Sequence, residues 1–340
     1  MRICALCLAS IDPLSVVLYC GGCNRRVYCS QECQRIDWEP TPIADKVTTI
    51  AGQGHMKWCG IATGEEGIDW RVEFVNDTKG FGIIALRNFR SGERIMVDGL
   101  QRSTMHPAFQ TLAPMDGTLR EKFDLNAVGC SEGLGSAVAP RLSRANHSCF
   151  NNAGRCHEEF TDTIVMYAQR DILAGEEICI NYVPWNNAMF EDAKCSNQSR
   201  RNQLKHFWSI VCPNDCFCRR SDIELAVDEC IVLNAILVVM LDNDQAMSSI
   251  RSVRVKFMET ITKLMELMKT IHSSPASRVD CYKLLFEVAI LKQEDLQLGL
   301  DTLDELIGMH MIFQHPQNPV VLQLQEWKRN PQSRTDYFGE

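Results

Sequence analysis

The stretch SRANHSCFNNA, residues 143–153, decides how this chain is interpreted. It places three asparagines, a histidine and a cysteine among eleven positions that hold no long aliphatic side chain. Neither a helical face nor an alternating strand face can be read there. Amide, imidazole and thiol groups suit hydrogen bonding and metal ligation better than packing. The segment is therefore poor core material, and its role has to be decided from the sequence around it.

The composition is that of a folded protein with protein or small-molecule partners. The chain has 340 residues, of which 45% are apolar and 23% charged, which is enough for two or three domains with sizeable cores. The net charge of −8 argues against a broad phosphate-binding surface. Nucleic acid is thus a poor first candidate for a partner.

The sequence indicates an intracellular protein. The start, MRICALCLAS, lacks the pattern of a secretory signal, and the longest apolar run, Cys230 to Leu241, is too short to span a bilayer. We therefore expect no membrane association and a location in the nucleus, the cytoplasm or both. Seventeen cysteines in such a reducing setting favour metal binding over disulfides.

Seven of these cysteines precede residue 60, and a histidine stands four residues before the last of them. They form two C-x-x-C pairs, a C-x-x-x-C pair and an H-x-x-x-C pair, and i, i+4 spacing lets both members of a pair point the same way from a helical turn. Eight ligands fill two tetrahedral zinc sites, whose metal would supply much of the folding free energy of so short a segment. The predicted ligands are Cys4, Cys7, Cys20, Cys23, Cys29, Cys33, His55 and Cys59.

The segments VYCSQECQRIDW (27–38) and HMKWC (55–59) resemble the MYND zinc finger, a protein-interaction module. The resemblance implies a protein partner at the finger, such as a proline-rich peptide. The 21 residues between Cys33 and His55 exceed the usual spacing of the family. The resemblance also implies crossed ligation, with one site made of Cys4, Cys7, Cys29 and Cys33 and the other of Cys20, Cys23, His55 and Cys59.

A second series of five motifs extends from KGFGIIA (79–85) to LKHFWSIVCPNDCFC (204–218) and includes the opening stretch. It resembles the SET domain of protein lysine methyltransferases. Together with the finger, it is similar to the SET and MYND family over roughly residues 1–220, and the most specific parts are Asn-His-Ser-Cys and Gly-Glu-Glu-Ile followed by Tyr. The motifs are, in chain order, KGFGIIA (79–85), FDLNAVG (123–129), RANHSCFNN (144–152), RDILAGEEICINY (170–182) and LKHFWSIVCPNDCFC (204–218).

This resemblance implies a role for the opening stretch: its Asn-His pair would contact S-adenosylmethionine, and its cysteine would bind a third zinc ion. The implied cofactor contacts are Lys79, Gly80, Phe81, Asn126, Asn146, His147 and Tyr182. The implied ligands of the third zinc are Cys149, Cys212, Cys216 and Cys218.

The implied activity is methyl transfer to a lysine of a histone or another protein. The family's active-site tyrosine corresponds to Tyr182, whose hydroxyl can orient the methyl group through weak C–H···O contacts. Two departures favour an alternative, a catalytically inactive adaptor that recruits protein partners. The cysteine spacing of the tail is C-x-x-x-C-x-C instead of C-x-C-x-x-C, and Ile210 replaces an aromatic residue, whereas Trp208 keeps an aromatic wall.

The predicted fold is α+β: an irregular SET-type β domain between an N-terminal zinc finger and a C-terminal helical domain. Short strands are predicted around WRVEFV, IIALRNF, SGERIMV, TIVMYAQRDI and GEEICINYV. Beyond Ser221, four segments with apolar residues at three- and four-residue spacing predict helices. The predicted domains are 1–62 (finger), 70–190 (SET), 191–220 (cysteine-rich segment) and 221–340 (helices).

Overall fold

The computed structural model divides the chain into two compact units, Met1–Ile180 and Asn181–Glu340. The predicted division into four domains stays a prediction. Most of the segment between Cys33 and His55 lies outside the described residues, as does Cys195, a cysteine outside the predicted ligand sets. The structure describes residues 2–12, 14–39, 54–102, 109–110, 112, 114, 116–130, 135–183, 196–241 and 251–331.

The finger is built from very short elements. Strands β1 (Arg2–Ile3) and β2 (Ser10–Ile11) form one antiparallel pair, and β3 (Leu18–Tyr19) and β4 (Val27–Tyr28) form another. Helix α1 (Gln31–Trp38) begins after Ser30, whose hydroxyl accepts a hydrogen bond from the N–H of Cys33. Helix α2 (His55–Trp58) is a single turn. Such elements cannot enclose a large apolar core, so something else must hold them together.

The rest of the first unit is the irregular β domain that the sequence predicts. Its four-stranded sheet has the order β10-β13-β6-β5, its three-stranded sheet the order β11-β12-β7, and β8 and β9 form a hairpin after helix α3. The elements are β5 (Trp70–Asn76), β6 (Gly80–Ala85), β7 (Arg94–Gly99), α3 (Leu119–Asn126), β8 (Ala127–Gly129), β9 (Ser136–Val138), β10 (Asn146–His147), β11 (Ala153–Glu158), β12 (Thr163–Ala168) and β13 (Glu177–Ile180).

Strand β13 is one of the two inner strands of the four-stranded sheet. It runs parallel to β10, with Asn146 opposite Cys179, and antiparallel to β6, with Glu177 opposite Ile84. The Asn-His pair of the opening stretch therefore becomes a sheet strand beside the Gly-Glu-Glu-Ile motif. This pairing brings three segments that are distant in sequence to one place.

The finger is anchored to the β domain through buried charges. The guanidinium of Arg26, itself 4% exposed, donates to Asp37 at 3.1 Å and to Glu65 at 3.3 Å. Arg141 donates to the carbonyl of Ala5 in the finger. Because buried charges are costly unless they are paired, these contacts fix the position of the finger.

Asp98, near the end of β7, holds the backbone that leads to the Asn-His pair. Its fully buried carboxylate accepts hydrogen bonds from the backbone N–H groups of Arg141 and Leu142 at 2.7 and 3.0 Å. These two bonds hold the start of the 3-10 turn Leu142–Arg144, which leads directly into β10.

The second unit is helical in its described residues. Its core contains Phe257, Ile261, Leu264 and Leu303, all at 0% exposure. None of the helices in the described part of the chain combines the length and the apolar character that a membrane span needs. The helices are α4 (Asn197–Trp208), α5 (Ser221–Leu241), α6 (Arg251–Thr270), α7 (Pro275–Ala289), α8 (Leu296–Phe313) and α9 (Pro319–Arg329).

Candidate functional site

The first predicted zinc set is assembled at the N-terminal end of α1. The four ligand atoms of Cys4, Cys7, Cys29 and Cys33 lie within 4.8 Å of one another. The sulfur of Cys29 is 3.6 Å from that of Cys7 and 3.6 Å from that of Cys33. A tetrahedron with zinc–sulfur bonds of about 2.3 Å has sulfur–sulfur edges of about 3.8 Å, whereas a disulfide measures about 2.05 Å. The spacing therefore fits a tetrahedral metal site.

The second predicted set meets in the same way around α2. The ligand atoms of Cys20, Cys23, His55 and Cys59 also lie within 4.8 Å, with 3.7 Å between the sulfurs of Cys20 and Cys59. The Nε2 atom of His55 is 3.5 Å from the sulfur of Cys23. Burial lowers the pKa of His55 to about 4, helped by the charge of Arg26, so the imidazole is neutral at physiological pH and its nitrogen can bind a metal. The two ligand sets cross over along the chain, as the finger resemblance implies.

The third predicted set is divided between the two units. Cys149 belongs to the first unit, whereas Cys212, Cys216 and Cys218 belong to the second. Within the second unit the sulfurs of Cys216 and Cys218 are 3.5 Å apart, and Arg219 donates from Nε to the carbonyl of Cys212 at 3.2 Å. Despite the altered cysteine spacing of the tail, these two sulfurs are about as far apart as two ligands of one tetrahedral zinc ion. That they bind the same zinc ion as Cys149 stays a prediction.

The glycine turn before β6 has a local cause. The side chain of Asn76 accepts hydrogen bonds from the N–H groups of Thr78 and Lys79 at 3.0 and 2.9 Å, which closes the turn. Gly80 then takes a φ of +69°, a left-handed conformation that glycine adopts without strain. Phe81 follows, and its side chain is 54% exposed.

Asn146 is bound on two sides by the protein. Its Nδ2 donates to the carbonyl of Phe81 at 3.2 Å and to Oε1 of Glu177 at 2.8 Å. The other carboxylate oxygen of Glu177 accepts from Nζ of Lys79 at 2.6 Å. The structure therefore brings together Lys79, Phe81 and Asn146, three of the predicted cofactor contacts, on a carboxylate that the sequence analysis did not select.

The other asparagines of the opening stretch have structural roles. Asn152 is 3% exposed and is hydrogen-bonded along β13: its Nδ2 donates to the carbonyl of Glu177 at 2.9 Å, and its Oδ1 accepts from the N–H of Cys179 at 2.8 Å. Asn151 donates to the carbonyl of Ala153 at 2.8 Å. Amides are concentrated here because irregular backbone needs side-chain hydrogen-bond partners.

His147 and Asn126 make contacts that the sequence does not reveal. The Nε2 atom of His147 lies 3.2 Å from the sulfur of Cys149, so the imidazole is directed at a predicted zinc ligand. Asn126 ends α3, and its Nδ2 donates to the carbonyl of Lys122 at 2.8 Å. Their predicted contacts with a cofactor stay predictions.

In the second unit, Tyr182 lies in a segment held by a buried arginine. Arg200 of α4 is 0% exposed and donates to the carbonyl of Val183 at 2.8 Å and to Oδ1 of Asn181 at 3.1 Å, on either side of the tyrosine. The ring of Trp208 lies 5.2 Å from that of Tyr182, with a tilt of 51°. Tyr182 and Trp208 thus form an aromatic pair. The aromatic wall that the resemblance implies at Trp208 stays a prediction.

Sequence reasoning missed Glu177 and Arg200. The pair Glu176–Glu177 follows Ala-Gly, and carboxylates in this position are typical of a turn, which describes Glu176 but not Glu177. Only the register of β13 between β6 and β10 reveals the role of Glu177. Arg200 offered no signal, since it stands among polar residues of an ordinary helix.

Family models match two parts of the chain, the MYND finger at residues 4–41 and the SET domain at residues 80–183. The chain therefore carries a MYND finger followed by a SET domain, as the sequence predicts. The "SET domain-containing protein 14" of Caenorhabditis elegans is 27% identical over 231 residues, which are 62% of this chain and 50% of that protein. The chain spans about half the length of this curated relative.

Among solved structures, a crystal structure of a Plasmodium falciparum protein assigned as a histone methyltransferase is 17% identical. It covers 34% of this chain and 93% of the other, with a TM-score of 0.25. At so low a score the likeness supports no inference about this chain.

Proposed function

We propose that this chain, in which a MYND finger is followed by a SET domain, is a protein-lysine N-methyltransferase. It would transfer a methyl group from S-adenosylmethionine to a lysine of a histone or another protein. The SET-domain match supports this class of activity. The observation that carries the proposal is the Asn146 amide, held beside the glycine turn by Phe81 and Glu177.

The residues around Asn146 fit the amino-acid end of the cofactor. An asparagine side chain has two N–H donors and one carbonyl acceptor, and both contacts described for Asn146 use its nitrogen. The carbonyl oxygen Oδ1 is then the group that can accept from an ammonium. The turn before Gly80 lies next to it and would carry the backbone contacts of Lys79, Gly80 and Phe81. Asn126, His147 and Tyr182 complete the proposed contacts.

S-adenosylmethionine, when bound, supplies a methyl group on a sulfonium. The task of the protein is to hold a neutral lysine nitrogen in line with that methyl group, and such positioning provides most of the rate. An apolar channel lowers the pKa of the lysine because burial disfavours the ammonium. The proposed catalytic residue is Tyr182, with Trp208 packed against it.

Zinc would have a structural role in this protein. Two ions would be held by the finger, where the ligand spacing fits tetrahedral sites. A third would be held by Cys149, Cys212, Cys216 and Cys218. We further propose that the finger binds a protein partner, such as a proline-rich peptide, and that the protein acts in the nucleus, the cytoplasm or both.

Calorimetry of the full chain, loaded with zinc, tests the proposal directly. We expect saturable binding of S-adenosylmethionine and transfer of labelled methyl groups to protein lysines. In Tyr182→Phe, the affinity for the cofactor should stay close to wild type. Turnover should fall about two- to fivefold, the value of one lost C–H···O contact.

Tyr19→Phe is the matched control, since this tyrosine lies in the finger, and both quantities should stay at wild-type values. No detectable binding by the wild-type chain would reject the enzyme and favour the adaptor. An unchanged rate in Tyr182→Phe would remove this tyrosine from the mechanism. Mass spectrometry of a proteome incubated with labelled cofactor would identify the substrate.

A further inference from the structure

The carboxylate of Glu177 lies between two predicted cofactor residues. It accepts from Nδ2 of Asn146 at 2.8 Å through one oxygen and from Nζ of Lys79 at 2.6 Å through the other. The side chain of Glu177 is 16% exposed and that of Lys79 41%. A charge-assisted hydrogen bond in such a partly buried place is stronger than one in open solvent.

This geometry follows from the sheet. Glu177 begins β13, which lies between β10 and β6, so its side chain can reach β10 on one side and the turn before β6 on the other. Gly82 provides the space: a Cβ at this position would lie 2.7 Å from Oε1 of Glu177 and 2.8 Å from Nδ2 of Asn146. A side chain at residue 82 would therefore disrupt the pair.

The bond to Glu177 also determines how the Asn146 amide is oriented. A carboxylate can only accept, so it selects the rotamer in which the nitrogen faces the sheet and the oxygen faces away from it. The Phe81 carbonyl, 3.2 Å from the same nitrogen, makes the same selection. Without Glu177 the nitrogen keeps only the longer of its two hydrogen bonds, the one to the Phe81 carbonyl, and the amide is held less firmly in this orientation.

Lys79 is held by the same carboxylate. Partial burial lowers the pKa of Lys79, but the hydrogen bond and the negative charge of Glu177 outweigh this effect, so that the pKa lies above its ordinary value. The ammonium is thus charged and neutralised in place. A lysine released from Glu177 would add an unpaired positive charge beside a cofactor that itself carries an ammonium and a sulfonium.

We infer that Glu177 is a positioning residue for the cofactor, which it orients through the amide of Asn146. The inference rests on the proposed function. Glu176, the adjacent residue, provides a contrast, because its carboxylate accepts from Asn152 at 3.0 Å and pairs with Arg170. The Glu177 carboxylate thus holds the proposed cofactor residue Asn146, whereas the Glu176 carboxylate holds the turn before β13.

The test replaces each carboxylate by the amide of the same shape. In Glu177→Gln one acceptor oxygen becomes an N–H₂ group, which faces a donor, so we expect the dissociation constant for S-adenosylmethionine to rise at least about tenfold. Glu176→Gln should keep the affinity within about twofold. The melting temperature of both variants without cofactor shows whether either loses its fold.

The second measurement is the side-chain ¹⁵N–¹H₂ signal of Asn146, assigned by its loss in Asn146→Ala. A proton bonded to a carboxylate should shift when Glu177 becomes glutamine and stay in place in Glu176→Gln. A loss of affinity that does not pass through Asn146 would leave this signal in place. Wild-type affinity in Glu177→Gln, or lost affinity with an unmoved Asn146 signal, overturns the inference. A wild-type chain that binds no cofactor rejects the proposed function itself, which is a different result.

Discussion

The finger and the C-terminal helices differ in what holds them together. The strands of the finger are two residues long, and its buried cluster includes the predicted ligands Cys4 and Cys20. Helices α5 to α8 have 15 to 21 residues and bury large aliphatic and aromatic side chains such as Phe257 and Leu303. The comparison teaches that the first region depends on metal ligation and the second on burial of apolar surface.

Metal removal should produce the largest effect. Structural zinc provides about 10–16 kcal/mol of folding free energy at one site, which is as large as the whole stability of a typical domain, about 5–15 kcal/mol. A chelator should therefore unfold the finger, and α5 to α8 should keep their helical signal. Hydrogen exchange of residues 2–39, followed with far-UV circular dichroism, measures both responses.

Cysteine variants test the same contrast at single positions. Elemental analysis of the wild-type chain should find three zinc ions. Cys29→Ser should lose one of them, whereas Cys230→Ser should lose none, since Cys230 is a buried residue of α5 outside the predicted ligand sets. Unchanged exchange in the finger after loss of metal would contradict this account of its stability.

A truncation in the core of the helical region should lower the stability of that region and leave the metal sites of the finger unchanged. Phe257→Ala in α6 removes a side chain of 0% exposure and should cost about 3–5 kcal/mol in denaturant unfolding of the helical region. The zinc content should not change. The control is Val232→Ala in α5, where the side chain is 56% exposed and the cost should be about 0.5 kcal/mol or less. Zinc loss in Phe257→Ala would show that the two regions do not fold by separate means.

Two helix caps offer the smallest and finest test. The hydroxyl of Ser274 accepts from the N–H of Ser277 at 3.1 Å at the start of α7, and the hydroxyl of Ser30 accepts from the N–H of Cys33 at 3.1 Å at the start of α1. Ser274→Ala should cost about 1 kcal/mol, measured by thermal unfolding. Ser30→Ala should cost less, because metal-bound Cys29 and Cys33 would hold that turn. A larger cost at Ser30 would argue against ligation there.

Local patterns in the sequence predicted the elements and the metal ligands. The paired spacings of Cys20 with Cys23 and of His55 with Cys59 are local, and the structure brings these four residues together. The four helices beyond Ser221 are confirmed because apolar periodicity is also local. Helix α9 was missed, although Asn318, which caps it, and Pro319 at its first turn are typical signals of a helix start.

Contacts that depend on sheet register could not be predicted in this way. Glu177 meets Asn146 only because β13 pairs with β10 in parallel, and no spacing along the chain encodes that pairing. The same holds for Asp98, which binds the backbone of residues 141 and 142 from another strand. Sequence motifs gave the candidate cofactor residues, and tertiary structure was needed for the groups that orient them.

The buried ion pairs of Arg26 couple the finger to the SET sheet. Its guanidinium pairs with Asp37 inside the finger and with Glu65, just before the first strand of the SET sheet. Unfolding of either region would therefore leave a buried charge without its partner in the other region. Loss of zinc would therefore also disturb the sheet that carries Asn146, and metal supply would act as a condition for the proposed methylation rather than for the proposed partner binding alone.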